Sequence, residues 1–102
     1  MFYSRVFDRK TGQLLGYLGN LTPEGIMLIS ESPLEVNEEY TLRLDLPDDI
    51  YHQPVLNLNA NSVWCQIDID PNFYTTGFQL RDISTGDLEI IRQIIEDYGF
   101  RD

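Results

Sequence analysis

The chain has 102 residues, 17 of them acidic and 7 basic, for a formal net charge of -10 at pH 7. That length supports one compact domain spanning 1–102, and a 42% apolar share with 12% aromatics buries enough surface to argue against intrinsic disorder. Seven basic residues scattered from Arg5 to Arg101 form no footprint for phosphate neutralisation, so DNA and RNA are excluded as expected partners.

Phe2 to Val6 is aromatic and β-branched with Ser4 and Arg5 between, and Asp8 to Gly12 is a polar, glycine-terminated turn signal. The pattern predicts a strand, a hairpin turn and a second strand from about Gln13 to Leu21. Gly16 and Gly19 interrupt this second strand as marks of a bulge or a close backbone approach. Thr22-Pro23-Glu24-Gly25 is a turn, and Ile26-Met27-Leu28-Ile29 is too brief for a helix, so it reads as a buried strand ended by Ser30-Glu31-Ser32-Pro33.

Tyr40 to Leu46 alternates, with Leu42, Leu44 and Leu46 on one face and Thr41, Arg43 and Asp45 on the other, which predicts one buried and one wet side. Pro47-Asp48-Asp49 breaks it. A second alternating segment runs from Val55 through Leu56, Leu58, Ala60, Val63 and Trp64 to Ile67, with a slip near Asn61-Ser62 that predicts a bulge. Pro71-Asn72 is the next turn, and Phe73 to Leu80 is the last strand. Six or seven short strands at regular spacing predict an antiparallel barrel or sandwich.

The period then changes. Leu88, Ile91, Ile95 and Tyr98 recur at three- and four-residue intervals, widened by Ile90 and Ile94, with polar residues opposite; this predicts an amphipathic helix over about 85–98. Ser84 or Thr85 caps its start, Asp87 suits the positive end of its dipole, and Gly99 supplies a left-handed stop. Its apolar stripe is expected to pack across an open end or one face of the barrel.

No segment from Met1 onward combines an apolar run with a small-residue cleavage site, and none approaches the roughly 18 apolar residues of a membrane span. No membrane insertion is expected, and the chain reads as cytoplasmic. Cys65 is the single cysteine, which excludes an intrachain disulfide and a multi-cysteine zinc site; it reads as a small apolar strand residue. His52 is the single histidine, in a polar loop between Tyr51 and Gln53, and reads as solvated rather than as a catalytic base. Asp48-Asp49 and Asp68 with Asp70 are the paired carboxylates; Asp68 and Asp70 share a strand face where repulsion favours exposure, and neither segment has the glycine or terminal glutamate of a calcium loop. No catalytic residue, metal site or cofactor is expected, and the chain is not read as an enzyme. Trp64 reads as core and Tyr74 as half-buried packing.

Asn20-Leu21-Thr22-Pro23-Glu24-Gly25, followed by Ile26-Met27-Leu28, resembles the D/N-x-S-x-x-G turn of the PilZ domain family, with threonine for serine. The order of the rest is similar to that family over nearly the whole chain. A hairpin precedes the motif and the strand Tyr40 to Leu46 follows. Next come Ala60-Asn61-Ser62-Val63-Trp64 and Tyr74-Thr75-Thr76-Gly77-Phe78-Gln79-Leu80, then the C-terminal helix. The resemblance implies a six- to seven-stranded antiparallel β-barrel closed by that helix, in a bacterial signalling domain. Many such domains are receptors for cyclic di-GMP, held by the turn and by an R-x-x-x-R loop ahead of the first strand.

The resemblance makes Asn20 and Thr22 polar ligand contacts and Gly25 the residue that permits the turn. Arg5 and Arg9 spell R-x-x-x-R, but Arg5 falls within the first strand, so the usual upstream arginine loop is expected to be missing. Two readings follow. One is a protein-protein adaptor with weak or no cyclic di-GMP binding; the alternative is a cyclic di-GMP receptor using Arg5, Arg9 and the Asn20-Thr22-Gly25 turn. Acidic Asp8 and Glu24 among the few nearby cations favour the adaptor and a basic or neutral protein partner.

Overall fold

The computed structural model describes residues 4–47 and 51–100. The elements are β1 (Arg5–Asp8), β2 (Leu14–Leu21), β3 (Gly25–Ser30), β4 (Glu39–Asp45), β5 (Val55–Ile67), β6 (Tyr74–Arg81) and α1 (Thr85–Tyr98). The strands close into an antiparallel barrel in the order β1-β2-β3-β6-β5-β4, with β4 returning to β1. The described part of the first strand runs on to Asp8, past the expected end at Val6. Phe2 and Tyr3 at its expected start, Asp48 and Asp49 of the expected break, and Arg101 lie outside the described residues.

Alternation sets which side of each strand enters the barrel. Val6, Leu18, Ile26, Leu28, Leu42, Leu44, Leu56, Leu58, Ala60 and Phe78 are buried in one core. Leu42 and Leu44 are fully covered and Leu46 nearly so, as their spacing predicts. The slip in β5 lies one residue beyond the expected place: register shifts between Ser62 and Trp64, so Val63 is the extra residue. Ser62 is the last inward residue before the shift, and its hydroxyl donates to the Glu35 carbonyl (2.7 Å) while accepting from the Glu38 amide (3.1 Å). A second shift in the β2–β3 ladder, between Leu18 and Asn20, takes in Gly19.

The helix begins and ends where its caps predict. Ser84 Oγ accepts from the Asp87 amide at 3.1 Å, and Gly99 takes the left-handed conformation at φ 72°. Ile91 and Ile94 are fully buried, whereas Leu88, Ile90, Ile95 and Tyr98 are half-buried. The packed line is therefore centred on Ile91 and Ile94, because the helix seals a concave barrel mouth and only its most forward residues enter. Tyr98 and Ser4 share a 2.8 Å hydroxyl contact, and Tyr51 donates to Asp97 Oδ2 at 2.8 Å. Ser4 immediately precedes β1 and Tyr51 precedes β5, so both bonds fix α1 to the same end of the barrel. His52 is exposed, in the loop where it was expected.

Burial and the bond to Asp97 raise the Tyr51 pKa well above its ordinary 10.0. The folded phenol stays protonated while the unfolded one ionises. The stabilisation is therefore complete below pH 10.0 and declines as pH rises further. Tyr51→Phe should lower stability by about 1–2 kcal/mol at neutral pH. Urea denaturation across pH 8 to 11 should also show a shallower alkaline decline in the variant; parallel curves would remove Tyr51 from this role.

Candidate functional site

The turn between β2 and β3 is built by its threonine. Thr22 Oγ1 accepts from the Glu24 amide at 3.2 Å and the Gly25 amide at 3.0 Å, and the Thr22 amide donates to the Gly25 carbonyl at 2.9 Å. Both hydroxyl lone pairs thus serve the turn itself. The Leu80 amide donates to the Glu24 carbonyl at 2.9 Å, which ties the turn to β6. Gly25 is needed for closeness, since a Cβ there would lie 2.9 Å from the Phe78 carbonyl oxygen. Asn20 pairs with Met27 at the shifted end of β2, on the outer side of the barrel.

The same outer side carries Trp64. Expected in the core, it is instead 40% exposed. The extra residue at Val63 reverses the phase of β5, so the side chain that unbroken alternation would turn inward points out. There it lies flat on β6: a Cβ at Gly77 would meet the indole at 2.3 Å. An aromatic covering a cross-strand glycine shields backbone that no side chain protects. Trp64, Val63, Met27, Asn20, Glu24 and Gln79 wall an open groove of about 390 Å³ with Gly77 in its floor. Sequence reasoning missed Trp64 and Gly77 as a pair; the mid-strand glycine was the available signal.

The two arginines are elsewhere. Arg5 pairs with Tyr17 in register, but its guanidinium turns toward β4, 3.3 Å from Asp45 Oδ2 and 5.7 Å from the Phe7 ring centre. Arg43 stacks closer over that ring, at 4.3 Å. Arg9 is exposed in the β1–β2 turn, with its amide on the Thr41 carbonyl at 2.9 Å. That turn joins β2 at Gln13, whereas Asn20 is at the far end, ~23 Å away at about 3.3 Å per residue. The structure brings Asn20, Thr22 and Gly25 together and does not bring Arg5 or Arg9 to them. Among the described residues, no lysine or arginine lines the groove.

Cys65 is half-buried on β5 and its sulfur accepts from Thr76 Oγ1 at 3.3 Å. Among the described residues no three His, Cys, Asp or Glu side chains cluster as a metal site would need, and no helix is long and apolar enough to cross a membrane.

The PilZ domain model matches residues 5–97. The chain belongs to the PilZ domain family. The barrel is similar to that of the Bacillus subtilis inhibitor of motility MotI/DgrA, at 17% identity and a TM-score of 0.75, over 98% of this chain and 49% of that one. It is also similar to the PilZ domain of YcgR from Escherichia coli solved with c-di-GMP, at 14% identity and a TM-score of 0.69, over 93% of this chain and 79% of that one. This chain thus spans about half the length of MotI/DgrA. No curated protein sequence matches it. In this PilZ domain the motif turn and the helix stand where the order of its elements predicts.

The single tryptophan makes the groove floor measurable. Gly77→Ala should force the indole off β6, shifting its emission to longer wavelength and lowering stability by about 1–3 kcal/mol. Unchanged emission would mean that Trp64 does not rest on Gly77 in solution.

Proposed function

We infer that this PilZ domain is a bacterial signalling module that works as a protein-protein adaptor and binds cyclic di-GMP weakly or not at all. One observation carries the reading: the groove at the motif turn is lined by Glu24 and, among the described residues, by no cation. A dianionic nucleotide entering it meets a carboxylate in a chain already at -10, and among the described residues no guanidinium lines the groove to hold its phosphates. Arg5 has its own carboxylate partner in Asp45. The Thr22 hydroxyl, a ligand contact on the family pattern, has both lone pairs occupied by the turn. The likeness to an inhibitor of motility supports a role in regulating bacterial motility or surface assemblies through a protein partner.

The receptor reading keeps one observation in its favour. The exposed side of Trp64 offers a flat aromatic platform in the same groove as the Asn20 amide, which suits a stacked purine, and the YcgR domain was solved with c-di-GMP. In that reading Arg5, Arg9, Asn20, Thr22 and Gly25 contribute the contacts. No catalytic step is assigned to either reading, and neither needs a cofactor or metal.

Calorimetric titration with cyclic di-GMP separates them. The adaptor reading predicts no binding heat at nucleotide concentrations up to about 100 μM, a dissociation constant weaker than about -5.5 kcal/mol of binding free energy. Micromolar binding that is lost in Arg9→Ala would establish the receptor instead.

A further inference from the structure

Beyond the bulge, β5 loses one of its two neighbours. The β4–β5 ladder runs from Asp45↔Val55 to Glu39↔Asn61, and Ser62 is the last residue bonded on that side, to Asn37 and Glu38. The β5–β6 ladder continues to Ile67↔Tyr74. From Val63 to Ile67, β5 is therefore an edge strand, with no described strand on its outer side.

The direction of its backbone groups follows from the ladder. The Asp68 amide donates to the Phe73 carbonyl at 2.9 Å, and antiparallel pairs alternate between bonded and non-bonded. Gln66 and Trp64 therefore bond to β6. Cys65 and Ile67, between them, turn their N–H and C=O groups to the open side. Before the bulge the phase is the reverse, since the Ser62 amide donates toward β4, to the Glu38 carbonyl. The extra residue at Val63 thus re-aims the next two odd-numbered residues of the strand from β6 to an empty edge.

Edge strands are usually blunted by lysine, proline or a covering segment. This one has none of the first two: no lysine, arginine or proline occurs between Pro54 and Pro71. Its side chains are apolar and open, with Val63 53%, Ile67 62% and Ile69 101% exposed. Its ends are acidic, with exposed Glu35 and Glu38 beside Ser62 and Asp68 and Asp70 at the hairpin tip. A second copy of the chain would bring the same carboxylates and another -10 of charge, which opposes self-pairing.

We propose that the Val63–Ile67 edge of β5 is a docking site that accepts an extended, basic-flanked strand of a partner protein by β-augmentation. The proposal rests on the adaptor reading and names its surface and partner chemistry. The incoming strand would exchange backbone hydrogen bonds with Cys65 and Ile67, set side chains of one face against Ile67 and of the other against Val63, and place lysines or arginines opposite the acidic ends.

The test uses amide hydrogen exchange on the full chain and a nine-residue peptide with alternating valine and threonine in the centre and two lysines at each end. In the free protein Cys65 and Ile67 should exchange rapidly while Trp64 and Gln66 are protected. With the peptide, the two open amides should slow by about tenfold or more. A peptide with glutamates for the lysines should bind about tenfold more weakly. Ile67→Pro removes a donor that bonds to nothing within the described chain, so it should keep the melting temperature while abolishing peptide binding.

Three results would overturn the proposal: no slowing at saturating peptide, equal binding of the glutamate peptide, or protection of Cys65 and Ile67 in the free protein that grows with its concentration, which would assign the edge to a second copy. Nucleotide binding in the calorimeter would overturn the adaptor reading while leaving these two amides unchanged, so the two failures are read apart.

Discussion

One extra residue in β5 governs the outer surface of this barrel. Up to Ser62 the strand alternates with its side chains in step, placing Leu56, Leu58, Ala60 and Ser62 inside. Val63 then breaks the step, and the bulge shifts every later residue by one position relative to β6. Trp64 is carried out of the interior and onto Gly77, and the backbone of Cys65 and Ile67 is turned from the ladder to the open edge. An aromatic groove wall and an unpaired strand edge arise from the same insertion.

The barrel has two ends with different chemistry. At one, α1 inserts Ile91 and Ile94 and is fixed by the Ser4–Tyr98 and Tyr51–Asp97 bonds. The motif turn belongs to this end, with Pro23 beside Ile95 and Phe100, and its hydroxyl is spent on its own amides. At the other end the β1–β2 turn, the Glu31 to Glu38 segment and the Asp68 to Phe73 hairpin come together. Arg9 and Lys10 lie there, at the wrong end of β2 for the motif groove. Arg9 and Lys10 are thus separated from the motif groove by the length of a strand, and among the described residues no cation lines that groove, on which the proposed preference for a protein partner over a dianionic ligand rests.

Much of this was legible in the sequence. Alternation in Tyr40 to Leu46 and in Val55 to Ala60 identified the inward residues, and the apolar spacing from Leu88 to Tyr98 with Ser84 and Gly99 gave the helix and its caps. The Asn20 to Gly25 pattern located the turn, and the order of the strands around it pointed to the family. What escaped was the consequence of register. A slip near Asn61-Ser62 was visible, but whether the extra residue was Ser62 or Val63 depended on which partner held Ser62, and that partner is Glu38, 24 residues away. Trp64 was misplaced for this reason. The centring of the helix on Ile94 depended likewise on the shape of the barrel mouth, and the turning of Arg5 toward Asp45 on a neighbour 40 residues distant.

The placement of Trp64 tests the bulge most directly, since it is the single tryptophan. Acrylamide, uncharged and so indifferent to the acidic surface, should quench its emission in the native protein to roughly half the extent seen in the unfolded chain, in keeping with its 40% exposure. Native emission at short wavelength that resists quenching would place the indole in the core, and would contradict both the phase reversal at Val63 and the groove and edge that follow from it.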